Sequence, residues 1–282
     1  MTLDPEDLRL AVYESFAEIG QPPAVATLAV RLATDPEVVR RGLRELHQQR
    51  HVVLGAGDEI LMAHPFSAVP LGFAVMGATT LWWGGCAWDS FALPHFVSDH
   101  EVLVSTRCLG CGAPHAWIVG EDGPPSGDQV VHFLVPAARM WDDVVHTCRN
   151  QRVFCSTPCV DAWLNSTGQE AGYLMSLETL WRLAQHWYDG RLDRGYKRRE
   201  PSAALDYFRG VGLKGPFWGL QQRVTRPTRS SALSIPGEGE SLVERRHASA
   251  ECIDPHMACM LGRPGDQILS RVNGKLSQVR WN

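Results

Sequence analysis

The chain has 282 residues and a formal charge of −4 at pH 7, from 27 basic and 31 acidic side chains. That length buries a full core and suits about two domains, while the slight acidity gives no global pull toward nucleic acid or an anionic membrane. No apolar run approaches the ~20 residues of a membrane span, and the acidic start Met1-Thr2-Leu3-Asp4-Pro5-Glu6-Asp7 is unlike a secretory signal.

A cytoplasmic location is therefore expected, with no membrane partner. In that compartment the eight cysteines are reduced thiols available to metals or catalysis, not a disulfide framework.

Residues 6–20 place Leu8, Val12, Phe16 and Ile19 at helical spacing, and Gly20 stops the helix. A second helix follows over 23–32. Thr34-Asp35-Pro36-Glu37 then supplies a cap, a first-turn proline and an early acid ahead of Val38, Val39, Leu43 and Leu46. The strand-like runs 51–54 and 60–62 flank Gly55-Ala56-Gly57-Asp58, which reads as a hairpin turn. Three helices and a hairpin predict a winged-helix-like domain over 1–65. Arg40, Arg41, Arg44 and Arg50 lie on or beside its third helix, but Glu37 and Glu45 dilute that charge, so a solvated face outweighs DNA binding.

From 66 to 220 the pattern is α+β. Apolar runs at 102–105, 116–119 and 130–135 alternate with Gly/Pro/Asp turns, predicting a small antiparallel sheet. Helical segments at 137–150, 160–165, 177–188 and 201–209 surround it, and 212–218 forms a final docking segment. Residues 221–282 are rich in Ser, Arg, Pro and Gly without sustained periodicity, which predicts a disordered tail containing Cys252 and Cys259.

The chemistry concentrates at Ala78–Pro94, where Cys86 and Asp89 lie three residues apart among Trp82, Trp83, Trp88 and Phe91. Neither a thiol nor a carboxylate is needed for solubility in such a segment, so each must be paired or used. On a helix the two share a face. A thiolate beside a proton carrier suits a soft metal or organometal, with the aromatic residues as an apolar wall. Four further cysteines compete: Cys108-x-x-Cys111 with Cys155 and Cys159 make a possible all-thiolate zinc site. Cys148, on a helical stretch, reads as core filler.

The run Leu81–Pro94 with Cys86-x-x-Asp89, Cys108 ahead of Gly112-Ala113-Pro114, and Phe154-Cys155 resemble the organomercurial (alkylmercury) lyase family, over about 66–163. The extension 177–218 is similar to the family's longer members. The resemblance implies a winged-helix-like N-terminal part and a catalytic set of Cys86, Cys155 and Asp89. Here Ser156 stands where the short members have a second cysteine, which keeps Cys159 open as the second thiolate, and Cys111 lies outside the family pattern. The implied activity is protonolysis of carbon–mercury bonds without an organic cofactor, mercury being substrate and product, with cellular thiols or a mercuric reductase as acceptor. The alternative is a non-catalytic winged-helix regulator that binds zinc or another soft metal.

Overall fold

The computed structural model describes residues 3–220 except 98 and 100, and the backbone of two antiparallel strands, Ser270–Val272 and Lys275–Ser277. Residues Met1–Thr225 form one compact unit and Arg226–Asn282 another. Apart from those two strands, the tail expected over 221–282 lies outside the described residues.

Helices α1 (Pro5–Ile19), α2 (Val25–Arg31) and α3 (Pro36–Gln48) arise where apolar spacing put them. Asp4 and Asp35 accept the backbone N–H of Glu6 and Glu37 at 2.9 and 2.7 Å, satisfying donors that a helix start leaves orphaned, and a proline follows each cap. Gly20 ends α1 at φ +72, where an added Cβ would also sit 2.2 Å from the Leu81 carbonyl oxygen, so only glycine serves.

The expected hairpin is β1 (Val53–Leu54) with β2 (Ile60–Ala63). It does not stop at residue 65. Strand β2 pairs with β3 (Phe66–Ser67), and β4 (Phe73–Met76), β5 (Leu81–Gly84), β6 (Glu101–Arg107) and β7 (Pro114–Gly120) complete a seven-stranded antiparallel sheet in the order β1-β2-β3-β5-β4-β6-β7. The N-terminal hairpin and the segment that follows it thus share one sheet. Trp82 on β5 fixes that junction by donating its indole N–H to the Phe16 carbonyl at 2.8 Å, while Phe16 stacks on Phe66 at 5.5 Å.

A second sheet sets β8 (Val130–Phe133) between β9 (Gln151–Phe154) and β10 (Tyr173–Ser176), all antiparallel. The single helix expected over 137–150 is broken. It becomes a 3₁₀ turn at Ala137–Arg139 and a short α5 (Val144–Arg149), because Asp143 adopts extended backbone and caps the His146 N–H at 2.9 Å. Helices α4 (Ala87–Ala92), α6 (Thr157–Thr167), α7 (Leu177–Gln185) and α8 (Pro201–Val211) complete the α+β fold. Trp88, Trp187, Phe208 and Trp218 pack ring against ring, with centroids 4.8 Å apart for Trp88–Trp187 and 4.9 Å for Phe208–Trp218, so the 212–218 segment docks as expected. No helix among the described residues is long and apolar enough to cross a membrane.

Candidate active site

Between the end of β5 at Gly84 and the start of α4 at Ala87 the chain turns through Gly85-Cys86. Cys86 is the N-cap of α4, its sulfur accepting the Asp89 N–H at 3.4 Å, as a hydroxyl does in commoner caps. The turn brings the Asp89 carboxylate back over the cap, and the Cys86 thiol donates to Oδ2 at 3.2 Å. The three-residue spacing is therefore helix-cap geometry. It needs small neighbours, since a Cβ at Gly84 would meet Ser90 Oγ at 1.9 Å and one at Gly85 would meet Asp89 Oδ2 at 2.3 Å.

The thiol that joins this pair is Cys148 of α5, whose Sγ lies 3.8 Å from Asp89 Oδ2 and 3.5 Å from His64 Nε2. Cys86, Asp89 and Cys148 are 2%, 1% and 4% exposed. Cys155, expected here from the family resemblance, stands elsewhere. Cys148 precedes β9 and Cys155 follows it, so about 13 Å of strand separates them. Cys155 joins Cys108, Cys111 and Cys159, a group whose sulfurs all lie within 4.8 Å of one another.

Tyr188, just beyond α7, donates its hydroxyl to Asp89 Oδ1, which leaves Oδ2 facing both thiols and His64 Nε2 at 3.9 Å. Arg191 donates to the His64 carbonyl at 2.7 Å and to Tyr13 Oη of α1 at 3.3 Å, tying the site to the N-terminal helices. Sequence reasoning missed Cys148, His64 and Tyr188. Their contacts span 59, 84 and 99 residues, and none sits in a local motif.

Burial pushes the Cys86 thiol well above its usual 9, and the Cys148 and Asp89 partners push it further. Cys148 is lowered below 9, chiefly by its hydrogen-bond coupling to Cys86, with His64 helping against burial. Burial would depress His64, yet Asp89 and Cys148 outweigh it and raise the imidazole above 6.5. Tyr188 is raised well above 10 by burial and Asp89, so at neutral pH it remains a neutral donor. The pair therefore ionises first at Cys148 and keeps its proton on Cys86, beside the carboxylate.

These groups line a cavity of about 320 Å³, the size of a small-ligand pocket. Trp88, Met140, Trp141, Val144, Trp187 and Phe208 supply apolar wall, and Arg50, Arg198 and Arg199 also line it. Of the four aromatic residues expected as wall, Trp88 is the one that serves. Trp82 is spent on α1, Trp83 is 39% exposed on its strand, and Phe91 packs on Trp117 at 5.8 Å. On α3, Arg40 and Arg44 pair with Glu37, and Arg44 also binds Asp58 at 2.5 Å.

The α+β unit thus sets two buried thiols and a buried carboxylate on one pocket, a donor set that suits a soft metal ion. The family model for alkylmercury lyase (MerB) matches residues 66–189. Among solved structures, the crystal structure of the mercury-bound form of MerB2 is similar in fold, with a TM-score of 0.51 at 20% identity, covering 68% of this chain and 93% of that one. A comparison with curated proteins finds no match.

Proposed function

We propose that the chain is an organomercurial lyase that cleaves carbon–mercury bonds by protonolysis, with Cys86, Cys148 and Asp89 as the reacting groups. The observation that carries this reading is the convergence of two thiols on one carboxylate oxygen, at 3.2 and 3.8 Å, in a buried pocket. Cys148, the thiol that ionises first, takes the organomercury cation, since a soft thiolate outcompetes oxygen and nitrogen ligands. Cys86 then binds the same mercury and hands its proton to Asp89 Oδ2. Asp89 delivers that proton to carbon as the carbon–mercury bond breaks. One C–H bond forms, one C–Hg bond is lost, and Hg(II) remains on two thiolates without any redox change. Tyr188 holds the other carboxylate oxygen and positions the relay. Cellular thiols, or a reductase that accepts Hg(II), would take the product.

The experiment is single-turnover release of benzene from phenylmercury by the full-length protein, beside a mercury-binding assay. Stoichiometric benzene supports the lyase. Tight binding without hydrocarbon release would favour the alternative, a protein that only binds soft metals.

A further inference from the structure

The turn between β6 and β7 carries Cys108 and Cys111, and the chain entering α6 carries Cys155 and Cys159. Their four sulfurs lie within 4.8 Å of one another, with Cys111 and Cys155 at 3.4 Å. In a tetrahedral zinc–sulfur site, with Zn–S about 2.3 Å, the sulfurs are separated by about 3.8 Å. We propose that Cys108, Cys111, Cys155 and Cys159 form a closed structural zinc site, separate from the reacting pair Cys86 and Cys148. The inference does not rest on the lyase reading.

The backbone is shaped to bring the four sulfurs together. Gly112 donates to the Cys108 carbonyl at 2.8 Å and takes φ +75, closing a tight turn. A Cβ at Gly110 would lie 2.2 Å from the Cys159 carbonyl oxygen, so the turn seats against α6 only because glycine is there. Pro158 fits the wider spacing of the second pair, since it occupies the first turn of α6 and needs no N–H partner.

The site also has a structural task. Cys108, Phe154, Val160, Trp163 and Leu164 form a satellite core apart from the main one. So small a cluster gains little from burial alone, and a metal that joins β6–β7 to α6 would staple it. Four thiolates in tetrahedral array favour zinc, whereas a two-thiol pocket suits mercury. Loading is balanced: Zn(II) displaces four protons from four thiols and leaves a bound dianionic centre.

The test is metal analysis of the full-length protein, purified without chelators from zinc-supplemented cells. One zinc per chain is expected, lost in Cys111→Ser and Cys159→Ser and retained in Cys148→Ser. Should the serine variants fail to fold, cobalt(II) exchanged into the native protein must give tetrahedral d–d bands and sulfur-to-cobalt charge transfer. No stoichiometric metal, iron in place of zinc, zinc that survives both cluster substitutions, or disulfides among the four cysteines would each overturn the assignment.

Discussion

Cys148 Sγ stands 3.8 Å from Asp89 Oδ2, bringing α5 onto α4 across 59 residues of sequence. Cys155, seven residues further along, lies among three other thiols. Cys148→Ala is therefore expected to lower hydrocarbon release by about 10²-fold or more, by removing a soft ligand at the relay. Cys155→Ala should keep the rate per folded molecule within a few-fold, although it loosens the satellite core. Release from phenylmercury, normalised to folded protein by circular dichroism, checks both; the reverse order of effects would return the second thiolate to Cys155.

How much of this was legible in the sequence depends on range. Cys86 and Asp89 were readable because one turn carries both, and a helix cap imposes the spacing. The three N-terminal helices were readable because capping and periodicity are local. The broken helix at 137–150 was not, because helical spacing of apolar residues says nothing about Asp143 capping midway. Cys148 looked like filler because its meaning lies in Asp89 and His64, residues that only the packed sheets bring to it. The short family motif at Phe154-Cys155 pointed instead at a residue on the far end of β9.

Asp89→Asn should still bind an organomercurial, since both soft ligands remain, while single-turnover hydrocarbon release falls about 10²–10⁴-fold. Tyr188→Phe leaves the acid but frees its Oδ1. A smaller loss of rate with mercury binding intact is expected, and a buried hydrogen bond to a charged group contributes about 1.5–3 kcal/mol. Near-normal release from Asp89→Asn would remove the relay from the mechanism.

Arg9, fully buried on α1, binds Glu6 Oε1 at 2.8 Å and donates to the Asp193 carbonyl at 2.7 Å, holding the segment that follows Tyr188. The Arg9 hydrogen bond, working against burial, lowers the Glu6 carboxyl from 4.5 to about 2. Because the folded value is depressed, this stabilisation is fully present above about pH 4.5 and is lost as pH falls toward about 2. Urea midpoints of wild type and Glu6→Gln should differ by a constant amount at neutral pH and converge through that window. A difference that does not change with pH would show that the Glu6 charge is not what holds the segment.

The last prediction concerns which thiol is attacked first. Cys148 is lowered below 9, chiefly by its hydrogen-bond coupling to Cys86 and to a lesser extent by His64, while burial holds Cys86 protonated. Since the thiolate is the nucleophile, the rate of Cys148 alkylation by iodoacetamide should fall about tenfold per unit as pH drops below its midpoint, and level off above it. That midpoint should lie under 9 in the native protein and move up in Cys86→Ala, which removes the coupled partner, with a smaller upward move in His64→Gln. The measurement is time-resolved mass spectrometry of the peptide carrying Cys148. If Cys86 is alkylated first, or the Cys148 midpoint does not move in Cys86→Ala, the proton begins on the other sulfur and the order of mercury binding proposed above must be reversed.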